Sequence, residues 1–195
     1  FVDEGMTVIP TTARSLDAFA RVHLGFTSYV VLNFGDIILQ PDGSIERDWQ
    51  GRMHGLMLDA LPGLQALAGR IDAWAARTGY AGRTRLVEDA GTPFFIVVKD
   101  PDKVTANLET IEREVVLPWI ADGHGDYCVH RNGNNLAILP TSLDKANAVA
   151  YVTERLRREH GEIITFGMGD SRSDARFMTD CDYAIIPRRT QLSRL

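Results

Sequence analysis

Two aspartates, Asp170 and Asp174, stand four residues apart directly after an apolar strand predicted over Glu162–Gly167. In open α/β sheets, ligands gather at the carboxyl ends of the strands. Carboxylates at such a position suit Mg²⁺, a hard cation that takes one or two carboxylates together with water and phosphate oxygens. A structural role explains the same residues, because Asp170 can cap the helix that follows and Asp174 then lies in its first turn, where the helix dipole favours acids. The spacing alone leaves both interpretations open.

Two more predicted helix starts carry residues that could bind phosphate. Thr12, Arg14 and Ser15 follow the apolar run Met6–Pro10, which predicts a strand. Hydroxyls and free N–H groups at a helix N-terminus favour phosphate, although capping by the hydroxyls and solvation of Arg14 explain the same pattern. Lys145 opens a later helix, where its charge opposes the helix dipole. This position indicates a phosphate-neutralising role, with ordinary surface solvation as the alternative.

The elements around these residues alternate between strand and helix at both ends of the chain. Apolar β-branched runs predict further strands at Ser28–Asn33 and Tyr183–Ile186. Capping residues and apolar spacing predict helices at Ser15–Leu24, Asp144–His160 and Ser171–Thr179. Strands that alternate with helices through short loops are typical of a parallel α/β sheet. The turn Pro41-Asp42-Gly43 predicts a hairpin between Asp36–Leu39 and Ser44–Glu46.

The middle of the chain has a different pattern, with paired strands joined by turns. A long helix is predicted over Gln50–Thr78, with Pro62 expected to break or kink it. The remaining elements predicted here are strands at Thr84–Glu88, Phe94–Lys99, Asp126–His130 and Leu136–Leu139, and a helix at Pro101–Leu117. Such pairs with helices between them favour an antiparallel α+β module. The sequence therefore predicts an α/β core of residues 1–46 and 138–195, interrupted by an α+β module of residues 47–137.

Composition limits the class of protein. The chain has 195 residues, of which 45% are apolar and 24% charged, and these values exclude a disordered chain. The net charge of −5 comes without a basic stripe, so we expect no nucleic-acid or membrane partner. The longest stretch without a charged residue, Val22–Gly35, is too short to cross a bilayer. With only Cys128 and Cys181, the chain favours reduced thiols, and we expect a soluble cytoplasmic protein.

The polar segments, taken in order, resemble a known family. Thr12-Ala13-Arg14, Lys145 and Gly169–Asp174 resemble the last three motifs of the haloacid dehalogenase (HAD) superfamily of phosphohydrolases. The long gap between the first two of these segments is where the sucrose-phosphate phosphatase-like and Cof-type branches insert a large α+β cap. Asn33-Phe34-Gly35 also resembles an Asn-Gly segment of those branches, although Phe34 interrupts it. The resemblance implies a Rossmann-like parallel-sheet core with an inserted cap.

The same resemblance implies an enzyme. It would be a Mg²⁺-dependent phosphomonoesterase that acts on a phosphorylated sugar or similar small metabolite through an aspartyl-phosphate intermediate. Thr12 and Lys145 would bind the transferring phosphoryl oxygens, with Arg14 and Asn33 as further phosphate-binding candidates. A small phosphorylated molecule is the partner that this implies.

The metal site also follows from the resemblance. Asp170 would bind Mg²⁺ directly or through water, and Asp174 would orient it or add a ligand. Ser171 and Ser173 are secondary candidates that either hydrogen-bond the site or cap helices. The expected catalytic residues are Thr12, Lys145, Asp170 and Asp174.

One motif of the superfamily is missing. The Asp-x-Asp motif, which supplies the nucleophile and the general acid/base, has no match before Thr12. Because Phe1–Gly5 resemble the end of a helix, we expect an upstream segment that carries this motif, and we expect the 195 residues alone to be inactive. Two alternatives stay open, a sugar phosphomutase on the same scaffold and a non-catalytic remnant that binds sugar phosphates.

Substrate choice is expected to lie in the inserted module. Its polar residues would either contact a sugar or lie solvated on the surface. These residues are Arg85, Lys99, His130, Arg131 and Asn134.

Overall fold

The computed structural model of the protein describes residues 5–194, apart from the side chain of Asn132, and divides into two compact units. The first unit contains residues 5–51 and 143–194, and the second is Arg52–Ser142. Both boundaries lie a few residues beyond the predicted ones at 46/47 and 137/138. The role of the second unit as a cap stays a prediction. The helix turn expected at Phe1–Glu4 lies outside the described residues.

The first unit opens with a short helix and an antiparallel strand pair. Helix α1 (Leu16–Ala20) starts where the Ser15 hydroxyl accepts a hydrogen bond from the Ala18 N–H at 3.2 Å. Strands β1 (Val30–Leu32) and β2 (Ile37–Leu39) pair antiparallel, and the predicted hairpin continues as a bridge from Leu39 to Ile45. The apolar cluster around the pair contains Val30, Leu32, Ile37 and Leu39, packed against Leu16, Phe19, Phe26 and Ile45.

Two predicted elements of this region differ from the structure. Met6–Pro10 is not a strand: within residues 5–12 only Thr11 forms a β-bridge, parallel to Val31. A strand needs continuous pairing partners, and Pro10 has no N–H to contribute to a ladder. The helix predicted to reach Leu24 ends at Ala20, because the Val22 N–H bonds to the carbonyl three residues earlier and tightens the last turn.

Helix α5 (Lys145–His160) is the long helix of the first unit, as predicted. The Asp144 carboxylate caps it by accepting a hydrogen bond from the Ala146 N–H at 2.8 Å, and Gly161 ends it at a φ of 81°. A 3₁₀ turn at Arg172–Asp174 leads into α6 (Ala175–Thr179), so the predicted helix begins as a tighter turn. A second apolar cluster contains Ala146, Phe177, Met178 and Leu192.

Strands β7 (Phe166–Met168) and β8 (Tyr183–Ile185) pair in parallel and are shorter than predicted. Apolar side chains of this two-stranded sheet are exposed, at 50% for Phe166, 53% for Met168, 57% for Tyr183 and 40% for Ile185. Parallel sheets in globular proteins are normally covered on both faces. The carboxyl end of β7 leads to Asp170, and a final 3₁₀ turn follows at Leu192–Arg194.

The second unit is an antiparallel sheet with helices on one face. Its sheet has the order β3-β4-β6-β5, with every neighbouring pair antiparallel. The strands are β3 (Arg83–Asp89), β4 (Thr92–Lys99), β5 (Tyr127–Asn132) and β6 (Asn135–Pro140). Helices α3 (Thr105–Ile111) and α4 (Leu117–Ala121) are joined by a π-helical turn at Glu112–Val116. The buried core includes Leu67, Ile71, Trp74, Ile96, Val98, Leu108, Ile111, Trp119, Leu136 and Ile138.

Helix α2 (Arg47–Thr78) carries the chain from the first unit into the second. Pro62 lies inside this helix and does not end it, contrary to the expected break. The buried residues Leu64, Leu67, Ile71 and Trp74 recur at three- and four-residue spacings and hold the helix on the core beyond the proline. Among residues 5–194, no helix combines the length and apolar character needed to span a membrane.

Gly63 of α2 lies against the Tyr127 ring of β5. The Tyr127 hydroxyl donates a 2.7 Å hydrogen bond to the Ala60 carbonyl, and a Cβ added at Gly63 would stand 2.1 Å from that hydroxyl oxygen. Glycine weakens a helix interior by roughly 1 kcal/mol relative to alanine. Its presence here is explained by this close approach.

We predict opposite effects for two glycine substitutions in α2. Gly63→Ala should destabilise the chain by about 1–3 kcal/mol, because the new methyl group displaces the half-buried Tyr127 ring from its place against α2. Gly69→Ala, in the same helix with nothing within 4 Å of its added Cβ, should stabilise by up to roughly 1 kcal/mol. Urea unfolding of the two variants measures both, and equal effects would contradict the packing explanation.

Candidate functional site

A buried ion pair lies at the centre of the candidate site. The Lys145 ammonium contacts a carboxylate oxygen of Asp174 at 2.6 Å, and each side chain is only 7% exposed. Lys145 is the first residue of α5, and Asp174 ends the 3₁₀ turn before α6. Removing two charges from water is costly, so such a pair persists only with short contacts and further hydrogen bonds. The pair brings together two residues predicted for the site.

The second oxygen of Asp174 is bound by its own loop. Oδ2 accepts hydrogen bonds from the Ser171 hydroxyl at 2.7 Å, the Ser171 N–H at 3.0 Å and the Asp170 N–H at 3.2 Å. Ser171 and Asp174 thus form a capping box at the start of the turn. Ser171 is therefore the cap, and not Asp170 as the structural interpretation predicted, whereas Asp174 lies in the first turn as predicted and also contacts Lys145.

Opposing effects act on the pKa of Asp174. Burial raises it, but the hydrogen bond and charge of Lys145 and the hydrogen bonds from Ser171 together outweigh burial. The net result is a pKa below the ordinary value of 3.8. Asp174 is therefore a carboxylate at neutral pH and the charged partner of Lys145.

Lys145 has two further neighbours. Its ammonium donates to the Ser173 hydroxyl at 3.4 Å, and it lies 5.9 Å from the centre of the Phe34 ring. Phe34 belongs to the segment Asn33-Phe34-Gly35, in which all three residues have positive φ: 51°, 58° and 103°. The aromatic ring thus reaches the ammonium from a left-handed backbone that a bulky residue rarely adopts.

Hydrogen bonds from the Thr12–Arg14 segment hold this backbone. The Asn33 N–H donates to the Arg14 carbonyl at 3.0 Å, and the Phe34 N–H donates to the Thr12 carbonyl at 3.2 Å. The Thr12 hydroxyl accepts the Arg14 N–H at 3.2 Å in the turn before α1, and the helix itself is capped by Ser15 rather than by Thr12. Gly35 is needed at its position because an added Cβ would stand 2.6 Å from the Asp144 carbonyl oxygen.

The structure joins Lys145 and Asp174 by direct side-chain contact and joins the predicted Thr12–Arg14 segment to this pair indirectly. Thr12 is half-buried, Arg14 is exposed and Asn33 is 1% exposed. Among the described residues, Thr12 makes no hydrogen bond to Lys145 or Asp174. The Thr12–Arg14 segment is linked to the Lys145–Asp174 pair through the backbone and the ring of Phe34.

Three contributors were missed or undervalued by sequence reasoning. Phe34 enters the sequence pattern only as an interruption of the Asn-Gly segment, and the sequence pattern does not single out Trp49, whose indole N–H donates to the Gly35 carbonyl at 2.8 Å. Asp144 caps α5 through one oxygen and pairs with Arg176 through the other at 2.7 Å. The Asn-x-Gly pattern after β1 was the available signal, since Asn and Gly tolerate positive φ.

The remaining candidates lie in the second unit, and His130, Arg131 and Asn134 have structural partners there, with the Cys128 sulfur 3.9 Å from His130 Nε2. Arg131 pairs with Glu109 and Glu112 of the helical face, and Asn134 exchanges hydrogen bonds with the backbone of Asp100. Lys99 and Arg85 are exposed, and His130 is half-buried.

Two aspartate pairs in the described chain have Asp-x-Asp spacing, and one member of each pair is structurally engaged. Asp100 is 2% exposed and accepts hydrogen bonds from Val104 and Asn107 at the start of α3. Asp182 accepts the N–H and hydroxyl of Thr165, both at 2.8 Å. Neither pair lies at the start of the fold, where the superfamily resemblance places the nucleophile.

A divalent cation fits Asp170 better than Asp174. No three His, Cys, Asp or Glu side chains are grouped for a metal anywhere in residues 5–194. Both Asp174 oxygens already accept short contacts, whereas the Asp170 carboxylate is exposed and makes no side-chain hydrogen bond or ion pair to another described residue. Mg²⁺ commonly takes one carboxylate with water and substrate phosphate, and Asp170 meets that need. The assignment of Asp170 and Asp174 as metal residues stays a prediction.

Solved structures of phosphatases share this architecture. A sucrose-phosphatase from Synechocystis in complex with sucrose and phosphate aligns with 97% of this chain and 72% of its own, with a TM-score of 0.58 and 20% identity. The alignment with a trehalose-6-phosphate phosphatase related protein covers 97% of this chain and 74% of that protein, with a TM-score of 0.52 and 15% identity. The alignment with the IMP-nucleotidase of Plasmodium falciparum covers 95% of this chain and 52% of that protein, with a TM-score of 0.64 and 14% identity. The chain has the haloacid dehalogenase phosphatase fold.

This is the fold that the superfamily resemblance implied, and it confirms the α/β class predicted from the sequence. No protein-family model and no curated protein matches the sequence. Within the haloacid dehalogenase fold, the structure joins the predicted Lys145 and Asp174 by direct contact.

We predict that breaking the buried pair destabilises the chain. Lys145→Met leaves the Asp174 charge buried without its cation and should lower the free energy of unfolding by about 3 kcal/mol at neutral pH. Lys99→Met, at an exposed lysine, should change it by less than about 0.5 kcal/mol. Urea unfolding measures both, and similar values for the two variants would contradict the assigned burial.

The lowered pKa of Asp174 predicts an acid limit. Its charged form stabilises the folded chain above the unfolded-state value near 3.8, and this contribution is lost as pH falls through the lower folded-state pKa. In Lys145→Met, burial acts without the cation and moves the pKa of Asp174 upward, so the folded chain takes up its proton more easily and this acid loss of stability shrinks or reverses. Urea midpoints measured between about pH 5 and pH 3 should therefore fall less in the variant than in the wild type. Parallel curves would contradict this coupling.

Proposed function

We propose that this chain forms part of a Mg²⁺-dependent phosphomonoesterase that hydrolyses a phosphorylated sugar or a similar small metabolite. The observation that carries the proposal is the buried Lys145–Asp174 pair, with the exposed Asp170 carboxylate on the adjoining loop. An ammonium held in this way can bind a phosphoryl oxygen, and a carboxylate near it can hold a divalent cation. The haloacid dehalogenase phosphatase fold supports the same chemistry.

In this proposal Lys145 and Thr12 bind the phosphoryl group. Two of the three ammonium N–H donors of Lys145 are directed to Asp174 and Ser173, which leaves one that no other described residue accepts. The Thr12 hydroxyl and the exposed Arg14 guanidinium add donors at the start of α1. Phosphoryl transfer depends mainly on such positioning and on charge stabilisation.

Asp170 is the residue that would hold Mg²⁺. The cation, when bound, supplies positive charge to the phosphoryl oxygens. Asp174 orients this loop by accepting the Asp170 N–H, and it keeps Lys145 in place. The function of Asp174 in this proposal is thus to position its neighbours.

The nucleophile in this proposal is an aspartate on a further strand that the 195 residues do not contain. Its carboxylate would attack phosphorus, and a second aspartate would protonate the leaving oxygen and then take a proton from the water that hydrolyses the aspartyl-phosphate. The exposed apolar side chains of β7 and β8 support this idea, because a parallel sheet is normally covered on both faces.

The substrate class is inferred from the solved structures. One is a sucrose-phosphatase with sucrose and phosphate, and another is a trehalose-6-phosphate phosphatase related protein. We therefore propose a phosphorylated sugar as the first substrate class to test. A second candidate function, non-catalytic binding of a sugar phosphate, is favoured by the absence of an Asp-x-Asp motif before Thr12.

The nucleophile proposal is tested by activity. We expect the 195-residue chain to release no phosphate from a generic aryl phosphate with Mg²⁺, and the same chain extended by the sequence encoded upstream to release it. An upstream apolar strand ending in Asp-x-Asp supports the hydrolase. Retained phosphate binding without turnover in the extended chain favours the binding module instead.

The metal proposal has a test that needs no turnover. Titration of the 195-residue chain with Mg²⁺, followed by NMR, should shift the amide signals of Asp170 and Ser171. Asp170→Ala should abolish these shifts while leaving the rest of the spectrum folded. Asp180→Ala, which removes an exposed carboxylate of the same unit, should leave them unchanged. Shifts that persist in Asp170→Ala would refute the assignment.

A further inference from the structure

The segment Asn33-Phe34-Gly35 holds an aromatic residue in a conformation that its side chain disfavours. Phe34 has φ 58° and ψ 19°, and the residues on either side also have positive φ. A bulky side chain in the left-handed region is a genuine outlier, and such conformations persist where the surrounding structure imposes them. An observed outlier of this kind points to a local function.

The contacts around the segment impose it from several directions. The Asn33 and Phe34 N–H groups donate to the carbonyls of Arg14 and Thr12, and the Asp36 N–H donates to the Asn33 carbonyl at 3.2 Å. The Trp49 indole N–H donates to the Gly35 carbonyl. Apart from the local Asp36 bond, these bonds come from two other parts of the first unit, the Thr12–Arg14 segment and Trp49, so the conformation does not depend on local preference alone.

The result of this conformation is a contact with Lys145. The Phe34 ring centre lies 5.9 Å from the ammonium, within the range of a cation–π interaction. The other ammonium contacts are the Asp174 carboxylate and the Ser173 hydroxyl. A ring attracts the cation without accepting one of its N–H donors in a directed bond, so it restrains the ammonium and keeps a donor available.

Phe34 is not among the residues of the two apolar clusters described for this unit. It is half-buried, and its backbone is held by polar contacts. Core packing alone would be met by a residue in an ordinary conformation. The position of the ring against a buried cation is what distinguishes Phe34.

We propose that Phe34 is a positioning residue for Lys145, fixing the ammonium against Asp174 and Ser173 so that its remaining N–H is presented to an anion. The part concerning the anion rests on the proposed function. The part concerning Lys145 is a property of this chain alone. The strained backbone of Phe34 and the Lys145–Asp174 ion pair thus act together to position the ammonium.

The first test follows Lys145 itself in the 195-residue chain. In the wild type, ring currents should move the Lys145 Cε protons upfield relative to those of exposed Lys99. Phe34→Leu and Phe34→Gly should abolish this difference, whereas Phe34→Tyr should retain it. Phe26→Leu is the matched control, because it removes a half-buried aromatic ring of the same unit that stacks on Phe19. The proposal is overturned if Phe26→Leu loses the upfield shift of the Lys145 Cε protons, or if Phe34→Leu keeps it.

Stability separates positioning from packing. Glycine adopts a φ of 58° without strain, so Phe34→Gly should melt no lower than Phe34→Ala. A stable Phe34→Gly chain that has lost the upfield shift supports a positioning role. A Phe34→Gly chain that retains the shift overturns it.

The part of the proposal that concerns the anion is tested by measuring the binding of inorganic phosphate in the presence of Mg²⁺. Wild type and Phe34→Tyr should bind it alike, Phe34→Leu and Phe34→Gly about threefold to tenfold more weakly, and Lys145→Met not measurably. If phosphate binds the wild type and Phe34→Leu equally, the proposal fails. If phosphate does not bind the wild type, the proposed function fails, and the Lys145 signals alone decide the role of Phe34.

Discussion

The first unit depends on one buried charge pair. Lys145 and Asp174 are both nearly inaccessible to water, and the desolvation of the two charges is compensated by contacts to both Asp174 oxygens and to two of the three Lys145 N–H donors. One Asp174 oxygen meets the ammonium, and the other accepts the Ser171 hydroxyl and two backbone N–H groups. The pair therefore fixes the start of α5 and the loop after β7 with respect to each other.

The backbone around the pair shows how local strain is distributed. Phe34 reaches the ammonium from a left-handed conformation, and hydrogen bonds from the Thr12–Arg14 segment and from Trp49 hold it there. Gly35 allows the segment to approach the Asp144 carbonyl, just before α5 begins. Residues distant in sequence thus hold the backbone that places the Phe34 ring at Lys145. A substitution at any of them should therefore alter the position of the ammonium.

The sequence predicted the elements whose signals are local. Helix α5 could be predicted because Asp144 and Gly161 mark its ends, and the place of Asp174 in a first helical turn followed from the helix start predicted there. The segment Met6–Pro10 was predicted wrongly as a strand, because an apolar run does not reveal whether a pairing partner exists.

The candidate site was only partly predictable for the same reason. The residue types at Lys145 and Asp174 drew attention through family resemblance, but their contact joins positions far apart in the chain. Phe34 could not be predicted, because its local preference opposes the conformation that long-range hydrogen bonds impose on it.

The charges of the candidate site argue for a cation requirement. Lys145 and Asp174 neutralise each other, and the remaining charged candidates, Arg14 and Asp170, are exposed and of opposite sign. These four side chains together carry no net charge, so a phosphate dianion would bring two uncompensated negative charges to them. Lys145 can orient such an anion but cannot balance it, since its charge is already shared with Asp174. In the proposed function, a divalent cation at Asp170 would restore neutrality across these four side chains and the anion.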